Sequence, residues 1–293
     1  MENKPETDLL QTTLSGIQNI IFWAEGGFKS VYKATVGNLT EAIKVIFIPP
    51  GDDNELREEI IDRAQRELYA LSKCKSEYLV KLGSLVPNLY QIAEKDYIIY
   101  SEEFLEGENL WTKMRNHYKP SFAELRQLTI CLLDVILELK KHNLIHRDIK
   151  PNNAIALEDK KRPFVILDLG IAFKLQGTPL TVNPERRPGT LPYMAPEMFN
   201  PGFRNIIDFR SDLYSAGVTL YEYATGKHPL IQTGEDDYGS ISRIIRDTPE
   251  PSSLLRPDLP KNFCSIIDQL IKKLPALRPS NIERLIRILE GLS

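Results

Sequence analysis

A chain of 293 residues, 42% hydrophobic and 26% charged with net charge −3, holds enough apolar material for a sizeable core. That balance excludes a disordered chain, a collagen or a disulfide scaffold, and supplies no global basic field to draw the chain to nucleic acid. The 3 cysteines form no disulfide framework or zinc clip, residues 1–8 are polar and acidic, and no apolar run reaches the ~18 residues of a membrane span. The expectation is a cytoplasmic chain without a membrane segment and without a nucleic-acid partner.

In chain order, residues 1–16 read as a polar tail, with a loose first strand as the alternative. Residues 20–48 read as strand, turn, strand, turn, strand, with Gly37-Asn38 as turn residues and a third apolar run from Ala42 stopped by Pro49-Pro50-Gly51. Asp52, Asp53 and Asn54 are candidate caps for a long helix reaching about Leu71, and strand-like runs follow at 79–86 and 97–101. After Gly107 the texture turns helical. Ser121 and Glu124 match a capping box, and Leu125, Leu128, Leu132, Val135 and Leu139 repeat as the buried stripe of the helix it opens. A short apolar strand is predicted at 164–167, and the chain beyond Ala195 is mostly helical. The predicted class is α+β and bilobal: a small β-rich lobe over about 17–102, a hinge at 103–107 and a larger helical lobe over 108–292.

Chemistry concentrates in two segments. His146-Arg147-Asp148-Ile149-Lys150-Pro151-Asn152-Asn153 spaces an acid, a cation and an amide so that they can converge on a phosphate, a metal and a hydroxyl. Leu167-Asp168-Leu169-Gly170 sets a second acid in a tight turn after an apolar run. Together, in this order and spacing, they resemble the catalytic loop and the metal-binding loop of the protein kinase family. Further segments are similar to that family in the same order: Glu41-Ala42-Ile43-Lys44, Glu67 on the following helix, the stretch from Glu103, Gly189-Thr190, Ala195-Pro196-Glu197, the segment around Asp212, and Arg278.

The resemblance implies transfer of the γ-phosphate of ATP to protein Ser or Thr hydroxyls, with Mg²⁺ as cofactor and Mn²⁺ as the alternative. It makes Asp148 the group that orients the acceptor hydroxyl and Lys150 the counter-charge, with Thr190 bridging them. It makes Lys44 the lysine on the α- and β-phosphates, held by Glu67. Asn153 and Asp168 would ligate the metal. Around the nucleotide it places Ala24, Gly26, Gly27, Val31 and Ala42, and beyond them Glu103, Leu105 and Ile155. The preference for Ser/Thr rests on Lys150, two residues after Asp148. A pseudokinase scaffold is the second reading, and a small-molecule kinase the third.

Two departures from the family pattern bear on nucleotide binding. In Ala24-Glu25-Gly26-Gly27-Phe28-Lys29-Ser30-Val31 only Gly26 keeps a signature glycine, and Lys29 in place of the last one either meets phosphate charge or crowds the loop. Glu102 falls in the strand just before the hinge. A carboxylate buried there needs a partner or a proton, or the strand register lies one residue away. For regulation, Glu185 is expected to offer Arg147 a built-in negative charge, with phosphorylation of Thr178 or Thr181 as the alternative.

Overall fold

The apolar run from Ala42 becomes the middle strand of a sheet covered on both faces, which is why its side chains are buried without alternation. The computed structural model describes residues 4–26, 29–51, 54–169, 173–174 and 189–292. They fall into two compact units, the first built from Met1–Ser72 and Val80–Glu106, the second from Lys73–Leu79 and the chain beyond Gly107.

The first unit contains helix α1 (Thr7–Thr13), strands β1 (Ile17–Gly26), β2 (Lys29–Val36) and β3 (Leu39–Ile48), helix α2 (Asn54–Lys73), and strands β4 (Asn88–Ile92) and β5 (Lys95–Glu103). The strands form one antiparallel sheet in the order β1-β2-β3-β5-β4. One face packs Tyr32, Ala34, Ile43, Val45, Phe47, Tyr97 and Ile99 against Leu10 and Leu14 from the α1 segment. The other face packs Ile46 and Tyr100 against Ile60 and Ala64 of α2. Strand pleat explains the division, because alternate residues of β3 and β5 leave opposite faces.

Two expectations change here. Residues 1–16 are more than a polar tail: α1 forms over Thr7–Thr13, and its i,i+4 pair Leu10 and Leu14 is buried in the sheet core. The run at 79–86 is not a regular strand: it makes the isolated bridges Leu79 with Ile166 and Leu82 with Glu102, and a few backbone bonds to β5. The fifth strand is instead β4, whose exposed edge position leaves only Ile92 buried and so little apolar pattern to read.

The second unit continues with β6 (Gly107–Asn109), α3 (Leu110–Arg115), α4 (Phe122–Lys141), β7 (Leu144–Ile145), β8 (Ala154–Leu157), β9 (Phe164–Ile166) and β10 (Phe173–Lys174). Helices α5 (Phe209–Thr225), α6 (Asp237–Arg246), α7 (Ser252–Leu255), α8 (Lys261–Leu270) and α9 (Ile282–Glu290) complete it. The stripe predicted for α4 is buried throughout. Its cap is half of a capping box: the Ser121 hydroxyl accepts from the Glu124 N–H at 3.2 Å. The Glu124 carboxylate is engaged elsewhere, by the Tyr118 and Tyr223 hydroxyls and the Lys113 ammonium. Helix α5 is buried from Ser211 to Ala224, the signature of a central helix. Gly217 lets α5 approach α8, since a Cβ there would lie 2.6 Å from the Leu270 Cβ. The observed class is the expected one, a β-rich part followed by a helical part.

Candidate active site

The segment after β7 turns sharply, because Arg147 adopts left-handed backbone with φ 66°. Asp212 of α5 fixes that turn from below. Its two carboxylate oxygens accept from the His146 N–H at 2.7 Å and the Arg147 N–H at 2.9 Å. Burial pushes the Asp212 carboxyl above its ordinary range, while the charges of His146 and Arg147 and these two N–H groups pull it back.

On that base three side chains close around Asp148. Lys150 Nζ stands 2.8 Å from Asp148 Oδ2 and donates to Thr190 Oγ1 at 2.6 Å. The Thr190 hydroxyl donates to Asp148 Oδ1 at 2.7 Å, and Asn153 Nδ2 donates to both Asp148 O and Oδ2, at 2.9 and 3.0 Å. Gly189 (φ 129°) brings Thr190 in: a Cβ on it would meet the Arg147 carbonyl at 3.0 Å. The Asp148 carboxylate is thereby held in one orientation by a cation, a hydroxyl and an amide, the condition for a group that must align an incoming hydroxyl.

The β8–β9 hairpin places the second acid. Ala154 pairs with Ile166, and the Leu167 N–H donates to the Asn153 carbonyl at 2.8 Å, so Asp168 follows directly on a residue tied to Asn153. Asp168 also adopts left-handed backbone, with φ 62°. A hard divalent cation fits these donors. Asn153 spends its NH₂ on Asp148, so its Oδ1 is the atom that could ligate, and Asp168 could bring a carboxylate. Two protein oxygens suit an ion that keeps waters and takes phosphate oxygens. Among the described residues there is no group of three or more His, Cys, Asp or Glu that forms an all-protein cage.

Beside this loop, Arg278 clamps Glu197 through two bonds of 2.6 and 2.8 Å, both groups buried, and Ser211 donates to the same carboxylate. The Tyr193 hydroxyl donates to Glu222 at 2.6 Å, and burial, reinforced by that carboxylate, pushes the phenol well up. His228 accepts at Nδ1 from the Leu230 and Ile231 N–H groups and meets the Pro192 carbonyl at Nε2, a neutral ring whose pKa burial lowers to about 4. Neither Glu222 nor His228 stood out in the sequence. Their signal was only a polar residue at a buried position, which a single chain does not reveal.

In the first unit the remaining residues lie in one row. Ala24 pairs with Val31, Val31 with Lys44, Lys44 with Tyr100, and Ala42 with Glu102, so all leave the same face of the sheet. This register puts Glu102 on the helix-covered face, without the one-residue slip. The pairing of charges differs from the expectation. Glu67 on α2 receives Lys29, with Nζ 2.9 Å from both carboxylate oxygens, and Lys44 meets Glu102 at 3.0 Å. Glu102 sits one strand over and diagonal to Lys44, which shortens that reach. Glu103 ends β5 with its N–H donating to the Lys81 carbonyl, and the Leu105 N–H has no hydrogen-bond partner among the described residues. Ile155 lies on β8, opposite Val165. Gly27, Gly170 and Glu185 fall outside the described residues.

Comparison with known proteins agrees with this geometry. The family described as "Protein kinase domain" matches residues 24–288. Serine/threonine-protein kinase A of Synechocystis is 29% identical over 283 residues, 91% of this chain and 51% of its own length. The dual specificity mitogen-activated protein kinase kinase mek-1 of Caenorhabditis elegans is 32% identical over 155 residues, 53% of this chain and 42% of its own. The probable serine/threonine-protein kinase PknB of Bifidobacterium longum is 27% identical over 256 residues, 85% of this chain and 35% of its own. The chain thus spans about a third to a half of the length of these relatives. With the Asp148 constellation and the match running from β1 to α9, this chain belongs to the protein kinase domain family.

Proposed function

We propose that this chain transfers the γ-phosphate of ATP to Ser or Thr hydroxyls of proteins, with Mg²⁺ at Asn153 and Asp168 and Mn²⁺ as the alternative ion. The observation that carries the reading is the closed hydrogen-bonded set of Asp148, Lys150, Thr190 and Asn153. Asp148 orients the acceptor hydroxyl and takes its proton as the bond to phosphorus forms. Thr190 and Asn153 keep its carboxylate in line, and Lys150 offsets charge on the transferred phosphoryl. The bound cation supplies charge neutralisation on the phosphates. A lysine held by a buried glutamate steadies the α- and β-phosphates, and the Leu105 N–H with the Glu103 carbonyl receives the adenine edge. A scaffold without turnover is disfavoured, since nothing would maintain this polar set in a protein that does no chemistry. No helix among the described residues is long and apolar enough to cross a membrane, and the free thiols Cys74, Cys131 and Cys264 fit our placement in the cytoplasm.

The test is transfer of radiolabelled γ-phosphate to a mixed Ser/Thr/Tyr peptide library, with Asp148→Asn alongside. Label on Ser and Thr that the variant abolishes is expected. Equal labelling by both proteins contradicts the reading.

A further inference from the structure

The 248–251 loop that follows α6 and the 271–277 segment that follows α8 enclose a cavity of 370 Å³. Its walls are mostly apolar, built from Pro249, Pro251, Ile271, Leu274 and Leu277. Leu274 and Leu277 are 62% and 57% exposed, so much of that wall faces water. One half-buried cation is set among them. Lys273 Nζ donates to the Ile244 carbonyl at 2.7 Å and the Arg243 carbonyl at 3.4 Å, at the end of α6. An ammonium has three hydrogens, so one remains to be placed. Asp247, the acid whose charge reaches Lys273, is paired with Arg243 at 2.9 Å. Neither Lys272 nor Lys273 forms an ion pair among the described residues. Burial lowers the Lys273 ammonium to about 8, with Asp247 opposing the shift and Arg278 adding to it. Asp268 is the single acid on the wall, and its Oδ1 accepts the Ser252 N–H at 3.1 Å.

We propose that this cavity binds a small aliphatic monocarboxylate, with the carboxylate on Lys273 and the chain against Pro249, Pro251, Ile271, Leu274 and Leu277. The site lies apart from the phosphotransfer residues and does not depend on that reading. Size, charge and lining choose the ligand class. The volume falls at the lower end of small-molecule pockets, which are mostly apolar with a few placed polar groups. Two lysines against one acid that already holds a donor select an anion. A half-buried cation without a counter-ion is costly, and a carboxylate brought alongside it forms a charge-assisted bond that offsets the cost. The apolar wall then selects a chain behind that carboxylate, because each CH₂ covers surface that Leu274 and Leu277 leave to water. Acetate would satisfy the charge alone, and an alcohol the wall alone. The backbone of the wall is fixed in advance: Arg278, which holds the buried Glu197, donates to the Lys272 and Lys273 carbonyls at 2.8 and 2.9 Å.

The experiment uses the full chain. Octanoate, butanoate, 1-octanol and a short alternating Glu/Leu peptide are titrated calorimetrically into wild type, Lys273→Met and Leu277→Glu, with melting temperatures recorded. Octanoate is expected to bind wild type at one site, about tenfold more tightly than 1-octanol, and to gain about threefold over butanoate for each added CH₂. It should also raise the melting temperature. Lys273→Met is expected to weaken octanoate about tenfold and to leave 1-octanol unchanged. Leu277→Glu sets a carboxylate on an exposed wall position, so it is expected to weaken octanoate at least about tenfold with the melting temperature unchanged. That variant decides the matter if Lys273→Met, which loses its bonds to α6, fails to fold. Absence of octanoate binding to wild type, or an affinity that neither variant changes, overturns the assignment. Binding of 1-octanol as tight as octanoate also overturns it, because the lysine then plays no part. If the peptide binds more tightly than octanoate and both variants weaken it, the cavity is a protein-docking groove and the small-ligand assignment is wrong.

Discussion

The catalytic loop of the second unit and the lysine row of the first differ in how their partners are chosen. Around Asp148, two of the three partners lie within five residues, and the backbone between them is pinned by Asp212 and a tight turn. There the spacing of residues in the chain already dictates which side chains meet. In the lysine row, two ammonium groups and two carboxylates share one sheet face, and the pairing depends on which strand carries the second acid. Placing Glu102 diagonal to Lys44 redirects a pair that the family pattern assigns to Glu67. Local motifs survive such a change; long-range ion pairs do not.

Asp148→Asn removes the proposed proton acceptor and leaves the loop's hydrogen bonds largely intact, so transfer is expected to fall about 10³-fold with the melting temperature nearly unchanged. A comparable loss of melting temperature would mean that the loop is held by Asp148 itself and not by Asp212. Next, Arg278→Met strands the buried Glu197, and urea unfolding is expected to show about 3–5 kcal/mol of lost stability. A loss below about 1 kcal/mol would place Arg278 among pairs of the exposed kind.

A smaller effect concerns pH. The His228 pKa drops from 6.5 to about 4 on folding, so the unfolded chain binds the extra proton first. Its contribution is fully present above pH 6.5 and is lost as pH falls towards 4, by about 3 kcal/mol. Stability measured from pH 7 to 4 should decline less steeply in His228→Phe; parallel curves would show that the ring is not the titrating group. Smallest is Ser121→Ala, which removes the one working half of the α4 cap and should cost about 1 kcal/mol. Glu124→Gln, by contrast, should act through Tyr118 and Tyr223 and not through the cap.

The residues that were legible in the sequence share a physical property. Helix α4 announced itself by five apolar residues on one stripe and a serine cap, and the loop at Asp148 by short spacing. Helix α1 was not legible because seven residues give two turns and only Leu10 and Leu14 show the contact. Strand β4 is an exposed edge with little apolar alternation. The partner of Lys44 was hidden for a third reason: Glu102 marked itself as a carboxylate in an apolar strand, but only the β3–β5 register shows which cation it meets.

The re-paired row is tested most directly by a double-mutant cycle on stability, independent of any ligand. Lys44→Met alone is expected to lose about 3–5 kcal/mol in urea unfolding, because Glu102 remains buried without its cation, and adding Glu102→Met should restore most of that loss. If the double variant is no more stable than Lys44→Met, the two residues are not a pair and the account of the lysine row is wrong.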